Sequence, residues 1–238
     1  MTTPLFREDA YLKQTSATVV EINDRGGIVL DQSIFYPTGG GQPGDSGSLS
    51  WNGGACKIVT TVKGEGQQIV LVPAEASDLP DAGTTVTQEI DWETRYCYMR
   101  VHTALHLLSV VIPLPVTGGA ITAVKGRVDF AMPEPLEDKE KLAADLQALI
   151  DRDFAITTDW ITEAELDENP GLVKTMSVQP PRGAGHVRLV RIGTSDEQID
   201  LQPCGGTHVA RTSEIGEISI GKIEKKGRMN RRVNVVLE

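Results

Sequence analysis

The sequence predicts an α+β protein of two units, a β-rich unit of barrel or sandwich type over residues 1–90 and a unit of helices packed on an antiparallel sheet over residues 91–238. Three observations carry that prediction. Short strand-like runs with glycine-rich turns fill the first unit. A long apolar run with helical periodicity follows Asp91. Strand-like runs then resume near Val187, after the helices, which makes the second unit α+β.

The first unit has strand candidates at Ala17–Ile22, Gly27–Leu30, Lys57–Val62, Gln68–Val72 and Thr84–Ile90. The turns between them fall at residues 23–27, 52–54 and 64–66, where Asn-Asp-Arg-Gly-Gly, Asn-Gly-Gly and Gly-Glu-Gly supply the required backbone freedom. Strands at this spacing close into a small barrel or a sandwich. One segment departs from the pattern, Tyr36-Pro37-Thr38-Gly39-Gly40-Gly41-Gln42-Pro43-Gly44-Asp45. Three consecutive glycines weaken a strand, so they need a tight bend or a close approach by another group.

In the second unit, Thr94 to Ile112 reads as a helix with Tyr98, Val101, Leu105 and Leu108 at helical spacing, stopped by Pro113 and Pro115. A second helix is expected from Pro135 to Phe154, with Leu142, Leu146 and Leu149 on its apolar side. A third, short helix starts at Thr162, which forms a capping box with Glu165, and ends before Asn169-Pro170-Gly171. The closing strands are Val187–Ile192, Ile199–Leu201, Ile215–Ile223 and Arg232–Leu237. No repeat and no low-complexity linker interrupts the chain, so the two units are expected to pack rigidly.

Composition narrows the class. With 39% hydrophobic and 24% charged residues over 238 positions, the chain has the balance of a soluble globular protein. No apolar run reaches the roughly 20 residues of a membrane span, and the acidic N-terminus lacks the apolar core of a secretion signal. Three cysteines, Cys56, Cys97 and Cys204, do not make a disulfide framework, so a reducing cytoplasm is expected. The net charge of −10 hides a local asymmetry. Residues 174–238 hold 11 Lys+Arg against 7 Asp+Glu, an excess of +4, while thirteen carboxylates, Glu137, Asp138 and Glu140 among them, lie between Asp129 and Glu168. A basic patch of that size suits phosphate contacts, although a solvated surface would read the same way.

The chemistry concentrates in two pairs. His102 and His106 stand four residues apart on a helix, which puts both imidazoles on one face, one turn apart. The intervening sequence lacks the glutamate of a His-Glu-x-x-His metalloprotease. Cys204 and His208 repeat the spacing around Gly205-Gly206-Thr207. Three of the four histidines and one of the three cysteines thus fall into two matched pairs, and thiolate with imidazole suits a single Zn²⁺ ion. Two core histidines and a buried thiol would give the same letters. Four protein ligands match a structural zinc, whereas pairs almost a hundred residues apart, one of them on a well-cored helix, favour a catalytic one.

Residues 36–43, Arg100-x-His102-Thr103-Ala104-x-His106-Leu107-Leu108 and Cys204-Gly205-Gly206-Thr207-His208 resemble the editing domain of alanyl-tRNA synthetase. The likeness extends through residues 187–193, 214–216 and 222–233 and so covers nearly the whole chain. The length, without an aminoacylation domain, is similar to freestanding editing proteins of the AlaX type. The resemblance implies a fold like the second additional domain of threonyl- and alanyl-tRNA synthetases behind an N-terminal β-barrel. It also implies a cytoplasmic deacylase that removes serine, or glycine, from mischarged tRNA for alanine. Nucleotide and ATP binding and alanyl-tRNA aminoacylation accompany it through the parent synthetases.

Under that resemblance, His102, His106, Cys204 and His208 hold zinc, and Gln42 orients the ester carbonyl or the attacking water. Gly39, Gly40 and Gly41 let the backbone approach the acceptor end. Thr38, where many relatives carry an acid, is the candidate partner for the serine hydroxyl, with Thr103 as a second. Alanine would leave such a partner buried and unpaired. Both hydroxyls could instead brace the backbone. Lys222, Lys225, Lys226, Arg228, Arg231 and Arg232 would touch phosphates of the acceptor stem. His186, after Arg182-Gly183-Ala184-Gly185, reads as an ordinary loop histidine. The expected partner is tRNA and no membrane, with the protein a monomer or a homodimer. Two other readings stay open: a zinc hydrolase of small esters or amides, and a non-catalytic tRNA-binding module with structural zinc.

Overall fold

Runs of valine, isoleucine and threonine become strands wherever alternate residues can be buried, and the computed structural model shows where that happens. It describes residues 1–75, 77–136, 138–175 and 185–238. The chain divides into two compact units, Met1–Tyr96 and Cys97–Glu238.

The first unit contains β1 (Thr3–Pro4), β2 (Gln14–Ile22), β3 (Ile28–Leu30), β4 (Gln32–Ser33), β5 (Gly47–Trp51), β6 (Gly54–Lys63), β7 (Ile69–Pro73) and β8 (Thr85–Ile90). Six of them close a barrel in the order β2-β3-β7-β6-β5-β8, so the choice between barrel and sandwich resolves to a barrel. Every neighbouring pair in it is antiparallel. Alternation decides what fills it: Ala17, Val19, Leu49, Cys56, Ile58, Leu71 and Val86 all point into the core. The strand Gly47–Trp51 was not expected, because Gly-Ser-Leu-Ser-Trp offers only Leu49 as a fully buried residue. Its glycine answers a packing need: a Cβ on Gly47 would lie 2.1 Å from the Glu89 carbonyl oxygen of β8. Arg95 and Asp45, both buried, form an ion pair that also fastens the Ile34 and Ala10 carbonyls.

The second unit takes in most of α1 (Trp92–Val111), followed by β9 (Val116–Ile121), β10 (Lys125–Ala131), α2 (Lys139–Asp151), β11 (Ile156–Thr162), α3 (Glu163–Glu168), β12 (His186–Gly193), β13 (Gln198–Pro203), β14 (Ile218–Lys225) and β15 (Asn230–Leu237). Two antiparallel sheets result, β14-β15-β10-β9 and β11-β12-β13. The class is therefore α+β, as the order of elements predicts. No helix is long and apolar enough to cross a membrane among the described residues.

Local chemistry sets the helix limits. Asp91 starts α1 by accepting hydrogen bonds from the Thr94 amide (3.2 Å) and hydroxyl (2.8 Å). The second helix is shorter than expected, because Asp138 caps it through the Lys141 amide at 2.8 Å. Its buried stripe is Leu142, Leu146 and Ile150, with Ile150 in the place expected for Leu149. The capping box of Thr162 and Glu165 is present at α3. The run expected to begin at Ile215 becomes a strand only at Ile218, since Thr212–Ile215 is a 3-10 turn closed by Gly216 at φ 76°. Glu137, within the expected second helix, lies outside the described residues.

Candidate metal centre

Helix α1 buries side chains around most of its second half, including Met99, Val101, Ala104, Leu107 and Leu108, and His102 and His106 are each only 7% exposed. The helix sits close on β10. A Cβ on Gly126 would fall 2.5 Å from Val101 Cγ1 and 2.9 Å from Leu105 Cδ1, the residues just before each histidine. Thr103, fully buried between them in sequence, gives its hydroxyl proton to the Met99 carbonyl at 2.9 Å. Its oxygen then accepts from His208 Nδ1 (3.1 Å) and from the Val209 amide (3.4 Å). With Nδ1 carrying that proton, His208 turns its Nε2 lone pair inward.

Cys204 follows β13 directly, and its amide donates to the Arg188 carbonyl of β12 at 3.1 Å. The Arg188 guanidinium reaches back to the carbonyls of Cys204 (2.9 Å) and Gly206 (3.0 Å), which fixes the glycine turn. The Gly206 amide points at the Cys204 sulfur at 3.4 Å. Cys204 is partly exposed and Gly205 exposed, while Gly206, Thr207 and His208 are buried, so the cluster lies nearest the surface on the Cys204–Gly205 side.

The two distant pairs converge. Ligand atoms of His102, His106, Cys204 and His208 all lie within 4.8 Å of one another and could hold a metal ion. Cys204 Sγ stands 3.6 Å from His102 Nε2 and 3.3 Å from His208 Nε2. His106 presents Nδ1 to Asp200 Oδ2 at 3.0 Å. An ionised carboxylate only accepts, so Nδ1 keeps its proton there and Nε2 faces the other donors. Asp200 is itself held by Gln202 Nε2 at 2.7 Å and by an ion pair with Lys174.

Electrostatics follow from this burial and pairing. Burial opposes charge on His106, yet Asp200 and the Cys204 sulfur outweigh it and lift its pKa to about 9. Burial, with His102 nearby, pushes His208 down to about 3. Burial would raise the Cys204 thiol, but His102 and His208 pull it well below its ordinary value of 9.0. Asp200 resists burial in the same way, held below the usual carboxylate range by His106 and Lys174. A thiolate enclosed by inward-facing imidazoles favours a cation at their centre.

The remaining expected site residues are distributed as follows. In the first unit, Gly39 and Gln42 pair through both backbone bonds, 3.0 and 2.9 Å, around Gly40 and Gly41 at φ 57° and 83°. Two successive positive φ values make the tight hairpin that the glycine run required. Gln42 is buried and Thr38 exposed. The Thr38 hydroxyl donates to the Thr61 carbonyl (3.2 Å) and accepts from the Gly44 amide (2.9 Å), which braces this loop. In the basic cluster, Arg232 is bidentate on Asp129 (2.8 and 2.9 Å) and Lys226 pairs with Glu224 at 2.8 Å. Arg231 binds the carbonyls of Glu134 (3.1 Å) and Pro133 (2.7 Å). Lys222, Lys225 and Arg228 are exposed. His186 opens β12 and is exposed, and the preceding Arg182, Gly183 and Ala184 lie outside the described residues.

Sequence reasoning missed Asp200, Lys174, Gln202 and the role of Arg188. One signal was available for two of them: Asp200 and Gln202 stand two positions apart on one strand, just before Cys204, and so share a face.

Residues 187–234 match the threonyl and alanyl tRNA synthetase second additional domain, and residues 8–94 match class II (A) tRNA synthetases. The chain is 34% identical over 250 residues to the alanyl-tRNA editing protein AlaX-M of Methanosarcina acetivorans, covering 100% of this chain and 99% of that protein. It is likewise 34% identical over 246 residues to AlaX-M of Pyrococcus horikoshii, again 100% and 99%. An alanine–tRNA ligase of Pyrobaculum calidifontis is 37% identical over 235 residues, 94% of this chain but 25% of the ligase. The chain thus spans about a quarter of the length of the ligases it matches. The expected ATP binding gains no support from these likenesses.

Proposed function

The chain belongs to the alanyl-tRNA editing family, and from that premise we propose that it deacylates mischarged tRNA for alanine in trans, with Ser-tRNA(Ala) as first substrate and Gly-tRNA(Ala) as second. The observation that carries the reading is the convergence of His102, His106, Cys204 and His208, with Asp200 and Thr103 orienting two of the imidazoles.

The donor set fits zinc. Bonds of about 2.3 Å to sulfur and 2.0–2.1 Å to nitrogen would place tetrahedral sulfur and nitrogen ligands about 3.5 Å apart, beside the 3.3 and 3.6 Å found here. Zinc held there supplies Lewis-acid chemistry for ester hydrolysis. The chain's own residues do the rest. Asp200 holds the proton on His106 Nδ1, and Thr103 accepts the one on His208 Nδ1. Arg188 fixes the turn that presents the sulfur.

In the same reading, Gln42 hydrogen-bonds the ester carbonyl or the water, and the Gly39–Gly41 hairpin admits the acceptor end. Thr38 accepts the substrate hydroxyl: its oxygen already uses its proton and one lone pair on the loop, and a second lone pair remains. Lys222, Lys226, Arg231 and Arg232 contact phosphates. The exposed Lys222, with Lys225 and Arg228, carries more of that affinity than Arg231 and Arg232, which are engaged within the fold.

The test incubates the purified protein with seryl- and alanyl-charged tRNA(Ala), with and without a chelator. Serine release that stops on chelation and returns with zinc is expected, and release that persists without metal would overturn the reading. Thr38→Val is expected to bring the ratio of serine to alanine release toward one, and an unchanged ratio removes Thr38 from substrate recognition. One observation favours the structural-zinc alternative: the cluster offers four protein donors, the number that would fill a tetrahedral zinc site and leave no position for water. Cys204→Ala separates the two, since a folded but inactive protein supports catalysis and an unfolded one supports a metal staple.

A further inference from the structure

We propose that Trp160 is the platform on which the base of the substrate's 3′-terminal adenosine stacks. The inference rests on the deacylase reading above and names the part of the RNA that the second unit grips.

Register places the indole on the metal face of the β11-β12-β13 sheet. Trp160 pairs with Arg188, and on the same face Val190 pairs with Gln202 and Ile192 with Asp200. Gln202 and Asp200 are the side chains that meet His106. Arg188 continues the row to Cys204, through the Cys204 amide on its carbonyl and its guanidinium on the Cys204 carbonyl. Trp160, Arg188 and Cys204 therefore form one line across three adjacent chain segments. Two strand spacings, about 10 Å, separate the ends of that line. That is the scale of the reach from a nucleobase to an acyl group on its own ribose.

Exposure makes the position available. Trp160 is 48% exposed and, of the Phe, Tyr and Trp side chains among the described residues, is the only one that is exposed and not half-buried or buried. It sits on β11, an edge strand whose residues Thr157, Thr158 and Asp159 are also exposed. The cluster comes nearest the surface at Cys204 and Gly205, the end of the same row. An acyl group entering there leaves its nucleoside over Arg188 and Trp160. Any base offers a π face to such an indole, so the contact supplies affinity without reading sequence.

The test uses the zinc-loaded protein and two RNA minihelices with a non-hydrolysable 3′-seryl amide, one ending in adenosine and one in an abasic ribose. The wild type is expected to bind the adenosine-ended probe about 5- to 100-fold more tightly. Trp160→Ala is expected to bring that preference close to one, Trp160→Phe to retain most of it, and neither to change affinity for the abasic probe. A damaged fold would weaken both probes together. Equal binding of the two probes by the wild type, or a preference that survives in Trp160→Ala, overturns the proposal. So does conversion of a dimer to a monomer by Trp160→Ala with the preference intact, which would assign the indole to a second copy of this chain. If the wild type binds neither probe and releases no serine from Ser-tRNA(Ala), the deacylase reading itself falls.

Discussion

Asp200 has three partners, His106, Gln202 and Lys174, and all three depend on its negative charge or its acceptor oxygens. Replacing it with asparagine keeps the shape and removes the charge that holds the His106 proton on Nδ1. Asp200→Asn is expected to weaken metal retention about 10- to 100-fold in competition with a chelator, with an unchanged far-UV circular dichroism spectrum. Unaltered retention would mean that the carboxylate serves packing alone. The four candidate donors of the cluster were legible in the sequence because each pair is local: four residues on a helix, four around a glycine turn. Asp200 was not, because its partner lies 94 residues away and only folding brings them together. Thr103 was legible as a hydroxyl near the site, but its orientation toward His208 depends on the helix carbonyl that takes its proton.

Strand β10 carries Asp129 toward Arg127 and toward Arg232 of β15, at 2.7 Å for the first and 2.8–2.9 Å for the second. Partial burial works against its charge, yet the two guanidinium groups outweigh it and hold its pKa below the ordinary carboxylate value. A depressed folded pKa stabilises the native state above the unfolded carboxylate pKa of about 3.9, and the stabilisation disappears as pH falls through the folded value. Asp129→Asn is therefore expected to be less stable than the wild type at pH 7. Urea titrations across pH should converge below the ordinary carboxylate range, and a constant gap would contradict the assignment. This strand was unexpected, as were β9 and β11. Val116-Thr117-Gly118-Gly119-Ala120-Ile121 contains paired glycines that argue against a strand on their own, and only pairing to β10 overrides them. β11 has four consecutive exposed residues and so lacks the alternation by which a half-buried strand is recognised. By contrast, α1 and the Thr162 cap were readable, since helical spacing and capping are set within one segment.

Over the whole molecule the net charge is −10, so long-range electrostatics repel a polyanion, and the proposed tRNA binding rests on the local basic cluster. Affinity for tRNA is expected to fall with rising salt. Replacing Lys222, Lys225 and Arg228 together with alanine should reduce the slope of log affinity against log salt by about 2–3. Arg232→Ala should change it less, because its guanidinium is already matched by Asp129. A slope insensitive to the triple change would place the RNA elsewhere. The tight seat of α1 on β10 has a different reach. A single methyl in Gly126→Ala would press on Val101 and Leu105 and lift the helix turn that carries both imidazoles. Such a variant should hold the proposed zinc less tightly in competition with a chelator while all four donors and their partners remain chemically intact, so that affinity for the cation is set by the thickness of a contact about 100° around the helix.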